Sequence, residues 1–134
     1  DHAPTTLSWG NENRTALIRL PEASAEATRL EFRVASADSN PYLVFASVLA
    51  SVYAGIQGKL QHDKETIGNA HAQHPPSLGV TWREAVEKTS VSSIVKDFFG
   101  EQFQQCYKCV KESEIKRFES TITDFEYHSY LRSL

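Results

Sequence analysis

Residues 40–56 constrain the fold more than any other stretch. Asn40-Pro41 opens a helix, because asparagine is a good N-cap and proline suits the first helical position. The run that follows, Tyr42 to Ile56, is apolar on most of its sides. Ala46, Ala50 and Ala54 lie four apart with Ser47 and Ser51 beside them, a stripe of small side chains that lets another element approach closely. Leu49, Val52, Tyr53 and Ile56 add bulk on neighbouring faces. The helix is expected to run to about Leu60. It is too short and too rich in serine to span a bilayer, which needs ~20 apolar residues. A helix this apolar must be covered by more than one neighbour, which suggests that part of the domain lies outside these 134 residues. The absence of any methionine points the same way, to a processed or excised piece.

What precedes the helix reads as β-structure. Thr5–Trp9 is short and β-prone, and Thr15–Leu20 is a second candidate closed by Pro21. Glu22–Thr28 is polar and small, a connection. Arg29–Val34 alternates strictly in character, the signature of a half-buried strand. After the helix, Gln61–Val80 is loop-like. Thr81 to Glu84 matches a capping box and starts a short helix. Ser92–Phe99 with Gly100 as its stop is another. Glu101–Ser120 is a longer amphipathic helix with Phe103, Tyr107 and Val110 on its apolar face, and Thr123 caps a last helix through Tyr130. The fold class is therefore α+β: one domain over 1–134, a few antiparallel strands at about 5–34, then a mainly helical region at about 40–131.

Composition narrows the partners. The hydrophobic fraction of 40% is ordinary for a globular chain. The formal net charge of −3 argues against nucleic acid or an anionic membrane, both of which favour a basic face. No basic segment followed by an apolar run marks a signal peptide, so cytoplasm is the default location. Cys106 and Cys109 have the C-x-x-C spacing, but no second pair completes a zinc site; on a helix they share a face and are read as core. His71 and His74, beside Pro75-Pro76, are read as a solvated pair. No Gly-rich phosphate loop is present, and Trp9 suits either ligand stacking or core filling.

The chemistry is concentrated at Arg29-Leu30-Glu31-Phe32-Arg33. Residues two apart on a strand share a face, so Arg29, Glu31 and Arg33 form a plus–minus–plus row with about 6.6 Å between side chains, and Leu30, Phe32 and Val34 can be buried behind it. A carboxylate between guanidinium groups stays ionised, and an ionised carboxylate is what hard divalent cations prefer. Guanidinium forks match phosphate and carboxylate oxygens. Such a row suits a metal–phosphate complex beside an acidic substrate; it equally suits a solvated sheet face with ion pairs of little energy. Arg14 and Arg19 lie just upstream. Their odd spacing separates them on a straight strand, so Arg14 must sit at the strand entrance or a bulge if both reach one site.

Three motifs turn this into a resemblance. Ser8-Trp9-Gly10-Asn11-Glu12-Asn13-Arg14-Thr15-Ala16-Leu17-Ile18-Arg19, the Arg-x-Glu-x-Arg at 29–33 and Asn40-Pro41-Tyr42-Leu43 resemble, in order and spacing, segments of the glutamine synthetase catalytic domain. They cover roughly the first 60 residues. The resemblance implies a partial glutamine synthetase catalytic domain, from its C-terminal part. It implies that Glu31 binds Mg or Mn associated with nucleotide phosphates, that Arg14, Arg19 and Arg29 line the phosphates of ATP with Arg14 catalytic, and that Arg33 holds glutamate. The family makes γ-glutamyl phosphate, from which an amine displaces phosphate. Further metal ligands and a small N-terminal domain are implied upstream, so the fragment alone should be inactive and the parent a ring-shaped homo-oligomer.

Two departures refine the expectation. Where ammonia-using members carry Tyr-Glu-Ala-Pro, this chain has Asp1-His2-Ala3-Pro4, and His2 in place of the glutamate puts ammonia in doubt as the amine. Together with Glu114–Phe118 and Thr123–Glu126, this is similar to the γ-glutamylpolyamine synthetase branch. Gln61–Val80 contains no tyrosine, which removes the acceptor for adenylylation there. The competing expectation is a non-catalytic relative with a structural or regulatory role.

Overall fold

A computed structural model describes residues 3–78 and 81–131; the departure at His2 lies outside them. Strands come first and helices after, as the α+β reading expects. β1 (Trp9–Asn11), β2 (Ile18–Leu20) and β3 (Glu31–Phe32) precede α1 (Pro41–Gln57), α2 (Ala70–Gln73), α3 (Trp82–Val91), α4 (Ser93–Phe99), α5 (Glu101–Glu119) and α6 (Asp124–Tyr130). The chain forms two compact units, Asp1–Val80 and Thr81–Leu134.

In the first unit the sheet order is β1-β2-β3. β2 and β3 are antiparallel, but β1 and β2 run parallel, so the sheet is mixed where wholly antiparallel pairing was expected. Parallel strands usually need a crossover of about a dozen residues or more. Here residues 12–17 suffice, because Glu12 takes a left-handed φ of 51°. Asn13 Oδ1 then holds the turn by accepting from Thr15 N (3.0 Å) and Thr15 Oγ1 (2.7 Å). The first strand forms later than Thr5–Trp9, since Thr5 and Leu7 spend their hydrogen bonds elsewhere. Thr5 O accepts from Ser77 N and Leu78 N, and Leu7 N donates to Ser77 Oγ. β3 is shorter than Arg29–Val34, with one further bond from Arg33 N to Leu17 O at 3.0 Å. Its apolar face, expected to be buried, is open: Leu30, Phe32 and Val34 are 47, 41 and 43% exposed.

Asn40 caps α1 as expected, its Oδ1 accepting from the backbone N–H of Tyr42 and Leu43. α1 stops at Gln57, short of Leu60, where Gly58 and Lys59 turn the chain. No strand or helix of this unit packs against it. Only Ala50 is buried, while Phe45, Leu49 and Ile56 are 69, 66 and 69% exposed.

In the second unit α3, α4 and α5 pack on one another around Val86, Gln104 and Ile115. Gln104 Nε2 donates to Thr89 O (2.8 Å) and Ser92 O (2.9 Å), which satisfies the carbonyls where α3 ends. Phe99, Phe103 and Tyr107 stack successively at 5.2 and 5.8 Å. The capping boxes at Thr81 and Thr123 both form. Cys106 and Cys109 do share a helix face, but it is the solvent face, and both are exposed. Val110 is exposed too, because the buried stripe of α5 runs through Gln104 and Ile115.

Candidate functional site

The antiparallel register sets Arg19 directly opposite Glu31. Arg19 Nη1 donates to Glu31 Oε2 at 2.9 Å, and Arg29 Nη2 reaches Glu31 Oε1 at 3.5 Å. Each oxygen of Glu31 therefore carries an arginine, one from just ahead of its own strand and one from across the sheet. Arg19 is held on its other side by Glu12, whose Oε2 accepts from Nη2 at 2.5 Å. The second Glu12 oxygen accepts from Glu22 N. Hydrogen bonding by Arg19, then by the Glu22 N–H, holds the Glu12 carboxyl below its ordinary range. The bonds to Glu12 and Glu31 in turn raise the Arg19 guanidinium.

Arg33 Nη1 donates to the carbonyls of Arg14 and Ala16, the latter at 3.3 Å. Nη1 thus ties Arg33 to the turn that carries Arg14. Arg14 lies ahead of β2, at the strand entrance, and its side chain is exposed. Arg19 Nε is buried with no hydrogen-bond partner. A buried donor left open costs free energy.

A groove of about 430 Å³ runs beside this turn, lined by Asn11–Thr15 and Glu65–Asn69. Segment 63–78 is not a free loop but a strap laid along β1. Thr66 N bonds Trp9 O at 2.9 Å. Glu65 Oε1 accepts from Asn11 N and Nδ2, and Asn13 Nδ2 donates to the carbonyls of Thr66 and Gly68. His71 Nδ1 meets Thr5 Oγ1 at 3.1 Å and His74 Nε2 meets Thr66 Oγ1 at 3.0 Å. His71 therefore ties the strap to the N-terminal segment, while His74 bonds within the strap and is exposed. Trp9 is committed to it as well, donating Nε1–H to Asp63 O and meeting His62 edge-on.

The structure thus brings Arg19, Arg29 and Glu31 into contact, and joins Arg33 to the turn of Arg14. Sequence reasoning missed Glu12 as a partner, along with Asn13 and Glu65; the only signal for Glu12 was its place inside the Asn-Arg motif. Among the described residues no three His, Cys, Asp or Glu side chains converge as a metal site. Glu31 can supply one hard carboxylate ligand, and the others would have to come from elsewhere.

Comparison with known proteins places the chain in a family. The family model "Glutamine synthetase, catalytic domain" matches residues 1–130. The chain is 33% identical over 132 residues to the γ-glutamylputrescine synthetase PuuA of Escherichia coli, covering 98% of this chain and 28% of that protein. It is 33% identical to the glutamine synthetase of Thermotoga maritima, covering 96% and 31%. It is 32% identical to the γ-glutamylethanolamide synthetase GlnA4 of Streptomyces coelicolor, covering 92% and 27%. The chain therefore spans less than a third of the length of these relatives. Its fold superposes on the ligand-free structure of GmaS with a TM-score of 0.82 at 24% identity, over 97% of this chain and 31% of that one. No helix among the described residues is long and apolar enough to cross a membrane. The sequence motifs, the α+β fold and the family match agree, and the chain belongs to the glutamine synthetase family, within its catalytic domain.

Proposed function

We propose that the full-length protein is an ATP-dependent ligase that joins an amine to the γ-carboxylate of glutamate. A glutamate γ-carboxylate oxygen takes the γ-phosphoryl group of ATP, and ADP leaves. The amine nitrogen then attacks the acyl carbon, phosphate departs and the amine gives up a proton. The observation that carries this reading is the Arg19–Glu31–Arg29 cluster, with Arg33 gripping the turn of Arg14 beside it.

In this reading Arg14, Arg19 and Arg29 offset the charge that develops on the transferred phosphoryl group. Glu31 serves as one carboxylate ligand of Mg or Mn, which would neutralise phosphate charge when bound. Arg33 holds the glutamate substrate. A primary alkylamine or polyamine is the favoured nucleophile over ammonia, supported by the names of two relatives, γ-glutamylputrescine and γ-glutamylethanolamide synthetase. A cytoplasmic ring-shaped homo-oligomer is the matching assembly. The 134-residue chain by itself is inactive, because among its described residues no three metal-ligating side chains come together.

The test is ADP release by the full-length protein with glutamate, magnesium and ATP, adding ammonium, ethanolamine, putrescine or spermidine separately. Release stimulated by one amine establishes the ligase and names its substrate. Well-folded protein that releases no ADP with any of them sinks the reading in favour of a non-catalytic relative.

A further inference from the structure

Arg19 sits between two carboxylates, Glu12 on one side and Glu31 on the other. If Glu31 gives an oxygen to a divalent cation, its bond to Arg19 weakens, because the cation withdraws the electron density that Nη1 uses. A guanidinium held by Glu31 alone would then be released when phosphate arrives. Glu12 prevents this only if it is fixed by something other than Arg19, and it is: its second oxygen accepts from the Glu22 backbone N–H. Its own backbone is left-handed at φ 51°, a conformation uncommon for glutamate and one that persists where the surroundings enforce it. The conformation carries the carboxylate to a place where it binds both groups at once. Arg19 is only 14% exposed at its side chain, so little water is available to take over.

We propose that Glu12 is a positioning residue, which holds the Arg19 guanidinium in place for nucleotide phosphate independently of Glu31. The assignment rests on the ligase reading for its catalytic consequence, but its binding consequence can be measured separately.

The experiment uses the full-length protein and its Glu12→Gln, Glu12→Gly, Arg19→Ala and Glu12→Gly/Arg19→Ala variants. Glutamine retains an oxygen for the Glu22 N–H while losing the charge toward Arg19. Glycine accepts the left-handed φ freely, so a melting temperature close to wild type is expected for it. Magnesium-ADP affinity is read by calorimetry without glutamate or amine, and kcat and the KM for ATP are read by ADP release. Both Glu12 variants should weaken ADP binding by about tenfold, the scale of one lost charge-assisted hydrogen bond. The KM for ATP should rise with it while kcat changes less. The double variant should bind no more weakly than Arg19→Ala, since Glu12 acts only through Arg19. Wild-type affinity in the Glu12 variants, or losses that add in the double variant, overturns the assignment. A wild type that binds ADP but never turns over ATP refutes the ligase reading, and the binding cycle still decides on Glu12. A wild type that binds no nucleotide overturns both.

Discussion

Glu31 carries a different arginine on each oxygen, Arg19 at 2.9 Å and Arg29 at 3.5 Å, so its charge matters more than its volume. Glu31→Gln keeps the shape and one acceptor oxygen but turns a donor toward Arg19 or Arg29. In the full-length protein, kcat for ADP release should fall by about 10²-fold or more, the scale seen when one fixed electrostatic contact to a transition state is lost. Turnover near wild type would remove Glu31 from the metal role. Arg33→Lys probes the neighbouring fork. A lysine keeps one donor, which can replace Nη1 on the carbonyls of Arg14 and Ala16, but it lacks the planar fork that matches a substrate carboxylate. The expected result is a KM for glutamate raised about tenfold, the cost of roughly one good hydrogen bond; an unchanged KM would free Arg33 of substrate binding. The alternation at 29–34 was enough to put Arg29 and Glu31 on one face, because that periodicity is local. The pairing of Glu31 with Arg19 depends on the register between two strands, and that of Glu12 on a positive φ. Neither can be read from spacing along the chain.

At the scale of elements, what is built within a few residues was legible and what depends on distant backbone was not. The Asn40 cap and the boxes at Thr81 and Thr123 follow from three or four neighbouring residues and form where expected. The strand limits and the strap over β1 follow from contacts more than fifty positions apart, such as Trp9 Nε1 with Asp63 O. Gly10 is where that strap presses closest: a β-carbon there would lie 2.7 Å from Thr66 O and 2.9 Å from Asn13 Cβ. Gly10→Ala should destabilise the chain by about 1–3 kcal/mol through overpacking, read from denaturant unfolding; a neutral change would mean that the strap lifts freely. The box at α6 gives a pH effect with a definite sign. The Thr123 backbone N–H, and then its hydroxyl, hold the Glu126 carboxyl below its ordinary value. A depressed carboxylate stabilises the folded state above its unfolded pKa and loses that contribution as pH falls through the folded one. Carboxyl NMR should therefore show Glu126 titrating low, and Thr123→Ala, which removes the hydroxyl but leaves the N–H, should return it only part of the way. A Glu126 that titrates at the ordinary value in the wild type would contradict the cap.

For the molecule as a whole, α1 decides behaviour in solution. Its small-residue stripe and bulky flanks were readable as a helix that needs more than one covering layer, and no helix or strand of its own unit covers it. Phe45, Leu49, Val52, Tyr53 and Ile56 all stand out from the surface, and Leu30, Phe32 and Val34 of the strand region are open as well. Contiguous apolar surface of this kind marks an interaction site or drives self-association. The 134-residue chain should therefore sediment as concentration-dependent oligomers and enhance the fluorescence of an apolar dye. Leu49→Glu and Ile56→Glu together should shift it toward monomer and reduce dye binding. Both positions are about two-thirds exposed, so charge there costs the helix little and a loss of association cannot be blamed on unfolding if the helical circular dichroism is kept. A wild-type chain that stays monomeric and dye-silent across the same concentrations would mean that the face is covered in solution. In that event α1 could not be the surface through which this part of the catalytic domain meets the rest.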